Sequence, residues 1–213
     1  IRATPARSRD RQIDGYLERI VDSDLPENGM VVRRPAALRA WLRAYAAATS
    51  TSTGYTGILD AATAGDPNKP SRPTVDAYRE HLTRLFILDP VEAWIPSFAP
   101  LKRLTVSPTH HLVDPGLAAR LVGVGREGLL VGKGERVSAA TGTWLGALFE
   151  SLAVQSVRTY ADLMNARIGH LRTKNGDREI DLVVETNDLD CVALEVKLAG
   201  TVGDRDVRHL HWL

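Results

Sequence analysis

Ile13, Leu17, Ile20 and Val21 recur at the spacing of one helix face, so residues 8–22 read as an amphipathic helix. The segment "SDLPENG" (23–29) breaks it. Pro35 opens a second helix, "PAALRAWLRAYAAAT", with Leu38, Trp41, Leu42 and Tyr45 on its apolar face; proline suits a first helical turn. A loop rich in Ser, Thr and Gly (49–57) leads to a short helix over 56–64, with Ile58, Leu59 and Ala62 inward. After the turn "GDPNKPS" (65–71), Val75, Tyr78, Leu82, Leu85 and Phe86 mark the most regular helix of the first half, 72–86, with Ser71 as its N-cap. "FILDPVEAWIP" and "RLTVSPTHHLVDPG" then predict two strands joined by a long loop. Helix, short helix, turn, helix and two-stranded wing is the order of a winged helix-turn-helix.

The texture changes at residue 114. "DPGLAARLVGV" predicts a short helix capped by Asp114, and the five glycines of 123–136 predict loop. In "TGTWLGALFESLAVQSVRTYADLM", Trp144, Leu145, Leu148, Leu152, Val154 and Val157 give a broad apolar face, that of a long, largely buried helix. Three strands follow: "RIGHLRT" (167–173), "EIDLVVE" (179–185) and "CVALEVK" (191–197). Asn175-Gly176 signals a hairpin between the first two.

Composition changes this picture little. Apolar residues make up 44% of the chain and charged residues 25%, an ordinary globular balance. A net charge of +1 gives no global basic field, so contact with nucleic acid needs a local patch. The one cysteine, Cys191, excludes an internal disulfide framework and is expected as a small buried residue of a cytoplasmic protein. No apolar run approaches the roughly 18 residues of a membrane span. The chain opens on Ile1 with no secretory signal and stops inside an apparent amphipathic helix at Trp212-Leu213, as a piece of a longer protein would.

Candidate chemistry lies in the strands. Residues two apart on a strand share a face, so Asp181 lies with Glu179, Val183 and Glu185, and Glu195 with Ala193 and Lys197. If the strands are neighbours, Asp181 and Glu195 stand side by side. Two carboxylates about 4 Å apart repel by about 4 kcal/mol at an effective dielectric near 20. A hard divalent cation offsets that through oxygen ligands, and Lys197 adds positive charge. On spacing alone a solvated strand face, paired with Lys197, Arg172 or Arg178, is the simpler account. Glu150 follows Phe149 on the apolar helix, where a carboxylate needs a partner. Glu179 and Glu185 read as solvated. His110 and His111 are poorly placed for a metal set, and no zinc spacing occurs.

A helix Glu, then Asp, then Glu-x-Lys on adjacent strands resembles the PD-(D/E)XK nuclease superfamily. "SPTHHLVDPGLAARLVG", "GTWLGALFES", "HLRTKNGDREIDLVV" and "ALEVKLAG" sharpen the match: over roughly residues 70–213 the chain is similar to the DUF4143 domain, which usually follows an AAA-type ATPase module. The fold so implied is α+β, a winged helix-turn-helix followed by a PD-(D/E)XK restriction-endonuclease-like α/β domain with a central mixed sheet. Its divisions are an N-terminal helical segment (1–34), a possible remnant of an ATPase lid, a winged-helix-like domain (35–113) and the nuclease-like domain (114–213). The resemblance implies Mg2+ held by Asp181, Glu195, the Val196 carbonyl and Glu150, with Lys197 orienting or deprotonating the attacking water. Ile180 stands where the superfamily pattern has proline. The implied partners are nucleic acid and the chain's own ATPase module, with no membrane; the implied nucleic-acid contacts are Lys69, Arg72, Arg79 and Arg84. ATP belongs to that module: in "GREGLLVGKGERVS" Glu127 and Gly134 stand where a phosphate loop needs Gly and Ser or Thr. The alternative reading is a non-catalytic DNA- or protein-binding module that retains the fold.

Overall fold

The computed structural model describes residues 6–65, 69–95, 107–131, 140–173 and 176–213. Helix α1 (Ala6–Arg19) does not stop at "SDLPENG" as its sequence predicts. It continues through a π-helical turn, Ile20–Asp24, into a single turn, α2 (Leu25–Glu27). The wider turn, in which the Leu25 N–H reaches back to the Ile20 carbonyl, accommodates Pro26, which has no N–H and crowds the preceding turn. The chain leaves at Gly29, whose φ of +86° favours glycine.

Helices α3 (Pro35–Ala47), α4 (Tyr55–Ala62) and α5 (Arg72–Arg84) follow, close to their expected bounds. The Ser71 side chain caps α5 by accepting from the Thr74 N–H. Phe86, expected on the apolar face of α5, instead stands exposed at φ +56°. That turn sends Ile87 and Leu88 inward, where both are buried. Among the described residues, the two segments expected next as strands pair antiparallel through the bridges Leu88–Leu112 and Val91–Thr109, with Asp89 N–H to His111 O at 2.9 Å and Val113 N–H to Ile87 O at 3.1 Å; the centre of their loop lies outside the described residues. Helix α6 (Pro115–Val122) carries the expected cap, Gly116 N–H to Asp114 Oδ1 at 2.6 Å. The glycine-rich stretch, expected as loop, contains a short helix, α7 (Arg126–Val131), because Leu129 packs onto the main core. Helix α8 (Ala140–Leu163) precedes β1 (Arg167–Arg172), β2 (Glu179–Glu185) and β3 (Cys191–Leu194).

One core joins the first helices to α8. Trp41 and Tyr45 of α3, Ile58 of α4, Leu82 of α5, Leu112, Ala118 of α6 and Leu148 of α8 belong to a single buried cluster. Leu152, expected inward, faces out at 47% exposure. An ion pair, Arg158 Nε to Asp89 Oδ2 at 2.9 Å, ties α8 to the paired segment. His110, His111 and His170 are buried, and burial pushes His111 down to about 3, so it is neutral at pH 7.

The sheet is antiparallel in the order β1-β2-β3, where a mixed sheet is expected. Among the described residues, parallel pairing enters only through isolated bridges. Ala93 bridges His170 of β1, with Trp94 N–H to His170 O at 2.6 Å and His170 N–H to Glu92 O at 3.0 Å. A hydrogen-bonded path thus runs from Thr49–Thr51 through His110, Val91 and Ala93 into β1, β2 and β3. At this seam a Cβ on Gly169 would sit 2.7 Å from the Trp94 Cβ and 3.1 Å from the Glu92 carbonyl oxygen. Directly opposite, the β1–β2 register slips: Gly169 pairs with Val183 but Leu171 with Ile180, so Asp181 and Leu182 stand against His170 alone.

The amphipathic helix expected at the C-terminal end is a series of turns, such as His211 N–H to Val207 O at 3.1 Å. Among the described residues no helix is long and apolar enough to cross a membrane.

Gly169→Ala is expected to destabilise the protein by about 1–3 kcal/mol, because the clash is with backbone and a Cβ that have little room to yield. Urea unfolding checks this; a midpoint unchanged from the parent would show that the seam opens freely.

Candidate functional site

The slipped register aims Asp181. With strict alternation it would lie on the side of Val183, which packs with Leu171, Ile180, Trp94 and Leu210. The extra residue breaks that parity. Leu182 packs on Val154 of α8, and Asp181 lies close enough to Glu150, on the same helix, to raise that carboxyl's pKa. Ile180 and Val183, three apart, share the other face.

Strand β3 ends at Leu194, three residues short of its expected end. Glu195 follows directly after the Leu182–Leu194 pair, in line with Asp181. The Val196 N–H donates to Asp181 Oδ2 at 2.7 Å, which holds the two carboxylate-bearing segments together. The Lys197 ammonium lies 2.8 Å from Glu195 Oε2 and 3.7 Å from Asp181 Oδ2. The cation that offsets the repulsion between these acids in the structure is therefore the lysine. Burial works against the Lys197 charge, but the Glu195 hydrogen bond and the charges of Asp181, Glu195 and Glu150 outweigh it and raise its pKa. The Glu195 side chain is only 7% exposed, and burial raises its pKa against the pull of Lys197. Its Oε1 is buried without a hydrogen-bond partner.

Glu150 joins this group from α8. Burial first, then the charges of Asp181 and Glu179, push its carboxyl up to about 8, so it is mostly protonated at pH 7. The Ser50 hydroxyl reaches both the Ala147 carbonyl, at 2.8 Å, and the Glu150 carboxyl. Ser50 sits at φ +58°, a conformation that is uncommon for a residue with a side chain. Its N–H bonds His110 O at 2.8 Å, so the seam of the sheet delivers it to α8.

Sequence reasoning missed Ser50 and His209. His209 Nε2 accepts from Arg208 Nε at 2.9 Å, and its Nδ1 lies 2.7 Å from the Glu179 carbonyl and 3.3 Å from the Glu179 N, with Glu195 Oε1 3.9 Å away. No spacing pattern marks either residue, because each arrives from a distant segment. Two expected environments are corrected. Glu185 is buried rather than solvated, accepting from Trp94 Nε1 and from Arg167 at 3.3 Å. Cys191 is exposed, because it begins the edge strand β3. Glu179 is half-exposed and 3.7 Å from Arg172.

The expected nucleic-acid residues lie apart from this cluster and mostly face intramolecular partners. Arg79 stacks 4.3 Å over the Tyr55 ring and lies 3.6 Å from Asp76. Arg84 lies 3.6 Å from Glu80, and Lys69 pairs with Asp60. Arg72 is exposed at the first position of α5.

Carboxylate oxygens and a backbone carbonyl are ligands suited to a hard divalent cation, and the orphaned Glu195 Oε1 has unused acceptor capacity. Among the described residues, however, no three His, Cys, Asp or Glu side chains are already arranged to hold an ion.

The raised Glu150 pKa carries a sign. Below its ordinary value of 4.5 folded and unfolded states both hold the proton; between 4.5 and about 8 only the folded state does, so stability falls as pH rises through that window. Glu150→Gln removes this dependence. Its melting temperature relative to the parent should climb from pH 4.5 to 8 and level off above. Parallel pH profiles in thermal unfolding would mean that Glu150 ionises in the fold without cost.

Two family models match the chain, both described as domains of unknown function: DUF8612 over residues 2–128 and DUF4143 over residues 145–213. The DUF4143 match is shorter than the resemblance read from the sequence. No curated protein and no solved structure matches. With more than half its length under the first model and its acidic cluster assembled largely under the second, the chain belongs to the DUF8612 family and carries a DUF4143 domain.

Proposed function

We propose that Glu150, Asp181, Glu195 and Lys197 form the site of a magnesium-dependent hydrolase acting on nucleic-acid phosphodiesters, in the C-terminal part of an AAA-type ATPase. The observation that supports this best is the meeting of three carboxyl groups and one ammonium from a helix, a strand and the segment after a strand. Asp181, Glu195, the Val196 carbonyl and Glu150 would hold the ion. When bound, the ion neutralises phosphate charge and acidifies water.

The chain's own groups do the rest. The Val196 N–H fixes the Asp181 carboxylate. The Lys197 side chain, 36% exposed, can turn its ammonium from Glu195 to the charge that develops on a phosphate oxygen. Protonated Glu150 can release its proton when positive charge enters the cluster. Burial of Glu195 limits access of bulk water to the same place.

A second reading is favoured by the same lysine. Lys197 already pairs with both Glu195 and Asp181, so the fold offsets much of their repulsion without an ion, as a non-catalytic DNA- or protein-binding module would.

Plasmid, linear and branched DNA incubated with the protein and Mg2+ or Mn2+ separate the two. The hydrolase reading expects cleavage that falls by about 100-fold or more in Asp181→Ala and in Lys197→Ala. Intact DNA throughout, retained equally by parent and variants, would establish the binding module instead.

A further inference from the structure

The outward face of α8 carries a stripe that the acidic cluster does not use. Phe149, Leu152, Ser156, Tyr160 and Leu163 fall within about 80° of arc at 3.6 residues per turn, and Met164 follows at the end of the helix. The large side chains among them are between 38% and 77% exposed, and none belongs to a buried cluster among the described residues. The opposite face holds Val154 against Leu182 and Glu150 toward Asp181. Large apolar side chains gathered on one side of a surface helix mark a contact surface.

The stripe carries no charge. No Asp, Glu, Lys or Arg stands at 149, 152, 153, 156, 159, 160, 163 or 164. Nucleic acid and anionic lipid surfaces both call for basic side chains, which this face lacks. Its two aliphatic hydroxyls bond within the helix: Ser156 Oγ donates to the Leu152 carbonyl at 3.0 Å and Thr159 Oγ1 to the Gln155 carbonyl at 3.1 Å. Both can leave water without losing a partner. The order of the stripe is self-complementary about Ser156. Leu152 and Tyr160 lie four residues to either side, Phe149 and Leu163 seven. Two such helices laid antiparallel across a two-fold axis at Ser156 therefore set Leu152 against Tyr160 and Phe149 against Leu163, and the small Ser156 faces itself where they cross. A whole large side chain presents roughly 200 Å2, so Phe149, Leu152, Tyr160, Leu163 and Met164 together expose about 600 Å2. Two copies bring about 1,200 Å2, the lower end of specific interfaces.

We propose that this face of α8 binds a second copy of the chain, antiparallel and centred on Ser156, to form a two-fold symmetric dimer. An interface at the small end of the range gives association of micromolar strength. Because Glu150 and Asp181 meet on the opposite side of the helix, the dimer leaves the acidic cluster uncovered and stands independently of the hydrolase reading.

The test is sedimentation velocity of the 213-residue chain. A species of twice the chain's mass is expected to grow at the expense of monomer as concentration rises from about 1 to 100 μM. Leu152→Glu combined with Leu163→Glu should weaken association at least about 100-fold, because the interface would bury unpaired carboxylates. Circular dichroism checks that this variant folds. A second measurement reads the register directly. In a Cys191→Ser background, which removes the one native thiol, Ser156→Cys should cross-link to its copy under oxidised glutathione. Leu163→Cys, about 21 Å from its copy along the helix, should not. A monomer throughout the concentration range would overturn the proposal. So would a dimer that persists in the folded glutamate variant, or cross-linking through Leu163→Cys and not through Ser156→Cys. Binding of a monomeric chain to phosphatidylcholine vesicles, lost in the glutamate variant, would overturn it too and assign the stripe to a lipid surface.

Discussion

The close approach at residue 169 is the constraint on which the arrangement turns. Trp94 and the Glu92 carbonyl come so near to β1 that a methyl group on Gly169 has no space. That contact lets the segment around Ala93 hydrogen-bond to His170 and carries the hydrogen-bonded path from the helical half of the chain into the sheet. It also coincides with the register slip on the other edge of β1, where Asp181 and Leu182 share one opposing residue. The backbone is drawn to the first half on one side and bulged on the other. Asp181 faces Glu150 because of the second effect, while Ser50 reaches it through its own bonds to the His110 and Ala147 carbonyls.

Charge is partly offset within the group that results. Two acids side by side would repel strongly in a poorly solvated place, and Lys197 sits between them. Glu150 solves the same problem differently, by keeping its proton. These are distinct responses to one electrostatic demand. Glu195 and Asp181 both face Lys197, whereas the helix acid meets them across the fold, with Ser50 and Lys197 acting against its raised pKa.

The cationic side chains of α5 show the opposite tendency. Arg79 and Arg84 lie near carboxylates of their own helix, at the spacing that lets side chains on one face meet. Such exposed pairs contribute little to stability, typically under about 1 kcal/mol each. They nevertheless dilute the positive field of that face.

Local pattern by itself determined the order of the helices, the caps at Ser71 and Asp114, and the three strands, because each depends on residues within a few positions of one another. It also singled out Glu150, Asp181, Glu195 and Lys197, through their types and spacing together with the resemblance. Tertiary structure alone decided which way they face. Period-two alternation holds only while pairing is regular, and a slip against a neighbouring strand reverses it, so the side of Asp181 was fixed by β1 rather than by β2. The same applies to Glu185, buried under Trp94 from ninety-one residues away, and to Cys191, exposed because no described strand pairs beyond β3. Burial is a property of neighbours, and those neighbours come from distant parts of the chain.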